Sequence, residues 1–253
     1  LLDNRQMGPV VTALSAGASD MSGWMLLGVP GALYATGVAN VWMIAGLIVG
    51  AYCNYLFLAK RLRVYTEVAS DSITIPDFLE NRFKDRTKIL RIISGLIILI
   101  FFTLYVSSGI IAGGKTFESF FGLKFAYGAV FTLIIVVFYT FFGGFKAVSI
   151  TDAFQGLLMF CVLVSIPVVA YLNLDLPSDT NLIKEISKLD ANHLNPFRDQ
   201  TFWGILGLLA WGFGYFGQPH IIVRFMAIRD SKELAKARRI GIGWMTIGLL
   251  GAI

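Results

Sequence analysis

The stretch Ser15-Ala-Gly-Ala-Ser-Asp-Met-Ser-Gly-Trp24 places a carboxylate, Asp20, between two hydroxyls in the middle of an apolar run. An aspartate at the centre of a bilayer costs on the order of 3 kcal/mol even on the lenient insertion scale. Asp20 therefore needs a compensating partner or a watery cavity. Gly17, Gly23 and the serines around it are poor helix formers. Together they predict a helix broken near mid-membrane, with carbonyls and amides turned toward a site. Non-helical backbone at that depth is tolerated only where protein encloses it or where it lines a cavity. The same small residues also suit a close-packed helix seam, although such a seam does not require a carboxylate. A second weak stretch is Ala210-Trp-Gly-Phe-Gly-Tyr-Phe-Gly-Gln-Pro-His220, where three glycines alternate with aromatics. Each glycine weakens a helix by about 1 kcal/mol relative to alanine. The aromatics either line a pocket or anchor the helix at the membrane interface.

The elements that must position these residues are membrane spans. The chain has 253 residues, of which 56% are hydrophobic and 15% charged, against roughly 25% charged in a soluble domain. Mean hydropathy is +0.71. This excludes a disordered chain, a disulfide scaffold and a nucleic-acid-binding domain. Cys53 and Cys161 lie inside apolar runs, so no bridge or metal site is readable from them and both are expected as buried small residues. A helix needs about 20 mainly apolar residues to cross the hydrocarbon core. Seven candidate runs are present: 10 to about 35, 41–59, about 89–112, 125–142, about 151–172, 202–217, and one from near 240 to 253. The last run is short and Leu1 is not an initiator, so the expectation is an internal piece of a longer protein.

Loop charge orients these runs. Residues 60–91 hold eight Lys and Arg, and residues 218–239 hold six, so both are expected as cytoplasmic loops. Residues 173–200 hold three basic and five acidic residues and are expected outside. Arg5 then lies inside and the first run leads outward. Short helices are expected at 72–81, opened by Pro76, at 181–189 and at 232–239. The basic loops read as topology signals, with lipid head-group contact secondary. Gly46 and Gly50 form a GxxxG pair that reads as a close-packing face, and His220 reads as structural rather than as a proton relay. The two broken runs, the first and the sixth, cross in opposite directions. Breaks at equivalent places in two halves of opposite topology mark an inverted-repeat transporter, with the site between them.

Five segments also carry a family resemblance: the Ser15–Trp24 stretch, Leu90-Arg-Ile-Ile-Ser94, Gly143-Gly-Phe145, Thr151-Asp-Ala-Phe-Gln155, and Trp211-Gly-Phe-Gly-Tyr-Phe-Gly-Gln-Pro-His220. In order, and over essentially the whole chain, they resemble the sodium/solute symporter family. That resemblance implies an all-α integral membrane fold with a LeuT-type five-plus-five inverted-repeat core, here incomplete, with about seven spans and the first and sixth broken. The first repeat would cover about 5–172, the outer loop 173–200, and the start of the second repeat 201–253. It implies sodium at Ala18, Ser19, Asp20, Met21 and Ser22, held largely by the carbonyls of Ala18 and Met21, with Asp20 in electrostatic support. It implies a solute enclosed by Ser22, Gly23, Trp24, Tyr139, Trp211, Gly212 and Tyr215, and coupling or gating through Arg5 and Asp152. Oxygen ligands suit a hard cation such as sodium, and aromatic faces suit the apolar ring and cationic amine of proline.

The resemblance further implies sodium-driven uptake of L-proline across a bacterial-type cytoplasmic membrane. Sodium is a co-transported ligand, with no cofactor, no enzymatic step and no nucleic acid involved. Another small solute (pantothenate, a sugar, sialic acid or a monocarboxylate) and the membrane sensor of a histidine kinase are the alternatives.

Overall fold

The computed structural model describes residues 2–173 and 182–253. The expectations for 174–180, and for Asn181 at the start of the outer helix, lie outside the described residues. Among the described residues there are helices and no strands, only an isolated parallel bridge between Met7 and Ile228. Three helical runs are long and apolar enough to cross a membrane: Pro9–Val68, Ile89–Phe121 and Phe125–Leu172, with a shorter apolar helix at Phe202–Phe216.

The first run spans 60 residues. A straight helix of that length would reach about 90 Å, three times the hydrocarbon thickness. It is divided instead into α1 (Pro9–Gly23), a π-helical turn (Trp24–Gly28), α2 (Val29–Thr36), a 3-10 turn (Gly37–Asn40), α3 (Val41–Cys53), a second π-helical segment (Asn54–Ala59) and α4 (Lys60–Val68). Gly37 makes the turn after α2 with φ 77°, a torsion open to glycine and strained for residues with a Cβ.

The α5 helix (Ile75–Phe83) follows, capped by the Thr74 hydroxyl, which accepts from the Asp77 amide at 3.2 Å. The α6 helix (Ile89–Phe121) then begins beside Asp85. The Asp85 carboxylate accepts from the Thr87 hydroxyl and amide and from the Leu90 amide. These bonds, the Thr87 hydroxyl first, hold its pKa below the ordinary carboxylate value.

The expected fourth and fifth runs form one helical stretch, α7 (Phe125–Leu172), divided by a non-helical turn at Gly144. The outer helix α8 covers Leu182–Leu189. The Gly-rich stretch of the sixth run is α9 (Phe202–Leu209) followed by a 3-10 segment (Ala210–Phe216), after which the chain breaks and restarts as α10 (Pro219–Ala227). The last helix, α11 (Leu234–Ala252), starts six residues before the position expected from hydropathy because its first turns are basic and amphipathic rather than apolar.

Within residues 218–239, expected as a cytoplasmic loop, lies α10, which buries Ile221, Ile222, Arg224, Phe225, Met226 and Ala227.

Packing centres on α1, which contacts α7, α10 and α11. By contrast, α6 buries only Gly114, and its apolar faces point outward. A helix apolar on all sides fits a bilayer or a buried position. Gly46 and Gly50 on α3 meet the backbone of Leu209 and Gly212. A Cβ on Gly46 would sit 2.5 Å from the Leu209 carbonyl oxygen, so only glycine permits this approach. The cysteine expectation holds in part: Cys53 is half-buried, but Cys161 is exposed on the apolar surface of α7.

Candidate functional site

The helix α1 breaks at Ser22, whose torsions are φ 44° and ψ −154°. The sequence pointed to Asp20, two residues earlier. This torsion lies outside the regions open to residues with a Cβ and costs about 1–3 kcal/mol. It interrupts the ladder of backbone hydrogen bonds. In an unbroken helix the Ser19 carbonyl serves the amide four residues on; here it accepts from the Tyr105 hydroxyl at 2.5 Å. The Trp24 amide bonds the Met21 carbonyl, and the chain leaves the break through the π-helical turn Trp24–Gly28. Such turns occur disproportionately at functional sites.

Facing this break is the 3-10 segment Ala210–Phe216. Between the two interruptions lies a half-open cavity of about 410 Å³, within the usual range for small-molecule sites. Asp20, Met21, Ser22 and Trp24 line one side of it. Trp211, Tyr215, Gln218 and His220 come from the other break, and Phe102, Tyr105 and Ser108 come from α6. The Trp24 and Trp211 rings stack with centroids 6.2 Å apart and planes 18° from parallel. The Tyr215 hydroxyl donates to Asp20 Oδ2 at 2.5 Å, so the carboxylate of one break is held directly by the other.

The remaining expected site residues lie around this cavity rather than on it. Ala18 is buried against α7, 3.1 Å from where a Cβ on Gly156 would stand, and Gly23 faces Ala112 of α6. Gly212 packs on Gly46 and Gly50. Tyr139 is half-buried on α7 and is not among the cavity's lining residues. The α6 aromatic at the break is Tyr105.

Asp152 and Arg5 form two further polar clusters. Asp152 Oδ2 accepts from Arg224 Nη2 at 2.5 Å and from the Ser15 hydroxyl at 3.0 Å, while Arg224 Nε bonds Ser15 Oγ at 2.6 Å. Arg224 also bonds the His220 carbonyl. All three side chains are buried, so the charges must be paired to be tolerated. Arg5 donates to Asp71 Oδ1 at 2.9 Å, to Thr66 Oγ1 at 3.1 Å and to the Met226 carbonyl at 2.8 Å. It thereby ties the N-terminal segment to α4 and to the end of α10.

Sequence reasoning did not single out Tyr105 and Gln218, which line the cavity, or Arg224, which pairs with Asp152; His220, expected as structural, lines the cavity as well. The His220 ring packs 5.2 Å from Phe102 and 5.2 Å from Tyr105, and neither ring nitrogen has a hydrogen-bond partner among the described residues. A signal for Tyr105 was present: Tyr105, Ser107 and Ser108 are polar interruptions in an otherwise apolar helix.

The profile of the sodium:solute symporter family matches residues 1–253. The sodium/proline symporter of Staphylococcus aureus is 54% identical over all 253 residues, which make up 49% of that protein. Sodium/proline symporters of the strains JH9 and JH1 match at the same identity and coverage. The chain therefore spans about half the length of the curated relatives it matches. No solved structure matches. The apolar helices and the whole-length profile match agree: this is a multi-pass membrane protein, and the chain belongs to the sodium:solute symporter family.

Proposed function

We propose that this chain forms the sodium- and solute-binding part of a symporter that takes up L-proline, driven by sodium entering the cell across the cytoplasmic membrane. The observation that carries this reading is the meeting of two interrupted helices around one aromatic cavity with Asp20 at its wall. The 54% identical relatives named sodium/proline symporter favour proline among the possible solutes.

In this reading the backbone around Ala18, Ser19 and Met21 supplies oxygens to sodium, and Asp20 provides the compensating charge. Ser22 sits at the turn itself, Gly23 keeps the main chain beside it free of a side chain for the solute carboxylate, and Gly212 seats the second break on α3. Trp24, Trp211, Tyr215 and Tyr105 enclose the pyrrolidine ring, with Tyr139 kept as an outer contact. Arg5 and Asp152 transmit the ion-dependent change to the inner end of α10. The chain is read as a LeuT-type arrangement: a first repeat over about 5–172, an outer loop 173–200 and the opening of an inverted second repeat at 201–253. The turns at Gly37 and Gly144 then separate consecutive crossings.

No bond is made or broken. Sodium raises the affinity for the solute, and by linkage the solute raises the affinity for sodium. One charge crossing 100 mV releases about 2.3 kcal/mol, and a tenfold gradient adds about 1.4 kcal/mol. Together they support roughly 500-fold accumulation of a neutral solute at one sodium per solute.

The test is uptake of labelled proline by the full-length protein in proteoliposomes, with sodium or potassium outside and a panel of competing solutes. Sodium-dependent uptake that only proline competes is the expected result. Sodium-dependent uptake competed by pantothenate, a sugar, sialic acid or a monocarboxylate would replace the solute. Transport that ignores sodium would overturn the proposal.

A further inference from the structure

Asp20 also borders a second and much smaller chamber of about 30 Å³. Asp20 and Tyr215 border both spaces. The small chamber also meets Asn54 and Tyr55, consecutive residues at the start of the π-helical segment Asn54–Ala59. Asn54 is 1% exposed and Tyr55 9%. Asn54 Oδ1 and the Tyr55 hydroxyl have no hydrogen-bond partner among the described residues. A buried polar atom without a partner is exceptional and calls for an explanation, and here two border one chamber.

We infer that this chamber is a binding site for one water molecule, bridging the Asp20 carboxylate, Asn54 Oδ1 and the Tyr55 hydroxyl. The size fits, and the Asp20 carboxylate with two unpartnered polar atoms interrupts an otherwise apolar wall. A buried water needs at least about 10–15 Å³ and two to four polar partners. The hydrogen-bond directions also balance. Asn54 spends an amide hydrogen on the Tyr215 carbonyl at 3.0 Å, which fixes the side chain and leaves its oxygen as an acceptor. The water gives its two hydrogens to that oxygen and to the Asp20 carboxylate, and it accepts from the Tyr55 hydroxyl. The Tyr55 ring is held by Phe225, with centroids 4.6 Å apart. Gly241 leaves room for its hydroxyl, which lies 3.2 Å from where a Cβ would stand. A sodium ion fits less well, because the Tyr215 hydroxyl is already bonded to Asp20 and Ala13, Ala16, Ala51, Phe225 and Met245 add only apolar wall.

The water braces the Asp20 carboxylate, which makes Asn54 and Tyr55 positioning residues for Asp20. This part rests on the reading of Asp20 as the support of the sodium site.

Two measurements on the full-length protein test the inference separately. The first is a cryo-EM map, in lipid nanodiscs, fine enough to resolve ordered waters, recorded in sodium and in potassium buffer. One density within hydrogen-bond reach of the three groups is expected in both. No density there, in a map that shows other buried waters, overturns the site; a density present only with sodium overturns the assignment as water. The second is proline uptake by Tyr55→Phe at varied sodium. Its sodium half-saturation is expected to rise about threefold, the scale of one lost hydrogen bond, with proline affinity at saturating sodium unchanged. An unchanged sodium half-saturation overturns the positioning role. If the unmodified protein shows no sodium dependence at all, the functional reading fails, while the density measurement still decides the water site.

Discussion

Two turns in this chain share nearly the same backbone torsions and differ in the residue that adopts them. At Gly144 the values are φ 56° and ψ −159°; at Ser22 they are φ 44° and ψ −154°. Glycine reaches this region without steric cost, whereas serine bears strain of about 1–3 kcal/mol. Gly144 stands in open space, where a Cβ would meet nothing within 4 Å. Ser22 borders the cavity between the two breaks. A turn that only redirects the chain uses the residue that fits it most easily. Keeping a hydroxyl at a strained turn makes sense where the side chain or the exposed backbone meets a ligand.

Four substitutions in the full-length protein would break or sharpen this contrast. Asp20→Asn, beside the strained turn, should have the largest effect: sodium half-saturation of uptake should rise more than about tenfold, with a much smaller change in solute affinity at saturating sodium. Unchanged sodium activation would remove Asp20 from the mechanism and leave the strain at Ser22 without a purpose.

Ser22→Gly relaxes the backbone and removes the hydroxyl. The relief of about 1–3 kcal/mol matches or exceeds the cost of glycine's added flexibility, about 0.5–1 kcal/mol, so thermal stability should hold or rise while uptake falls about fivefold. Full uptake in this variant would make Ser22 equivalent to Gly144.

Gly144→Val should do the reverse. It should lower stability by about 1–3 kcal/mol through torsional strain, read as a lower melting temperature in detergent, and leave the sodium and solute constants of the folded protein unaltered. Changed constants would place the Gly144 turn in the working site as well.

The smallest effect should come from Asp85→Asn at the start of α6, outside the apolar run. Hydrogen bonds from Thr87 and Leu90 lower the folded-state pKa of Asp85 below its ordinary value of 3.8. Its contribution is therefore present above that value and is lost as pH falls below it. The variant should flatten the acid limb of stability slightly and leave neutral-pH uptake alone.

How far the sequence could be read depended on whether the physical cost was local. Asp20 in an apolar run is costly wherever the chain goes, so it announced a break and a site before any geometry was known. The Gly-rich stretch from Ala210 did the same, and Pro76 marked the start of α5. Tyr105 carried no comparable cost, because one tyrosine in a 33-residue helix gives no azimuth by itself. Arg224 entered only as one of six basic residues in a loop. Its partners, Asp152 and Ser15, lie 72 and 209 residues away, and no window along the chain connects them. The two π-helical turns left no readable pattern either, since one extra residue per turn changes which side chains face inward without changing composition.

Where α3 meets Leu209 and Gly212, main chain touches main chain. Interlocked side chains resist sliding because each must change rotamer to pass its neighbour; a bare glycine track has no teeth. The far end of the same broken helix is riveted: Arg5 grips the Met226 carbonyl, Arg63 grips that of Ile228, and Arg224 is locked to Asp152. One half of the broken helix is thus seated on bare backbone and the other is anchored by three arginines, so the residues between Trp211 and Gln218 join two differently fastened pieces.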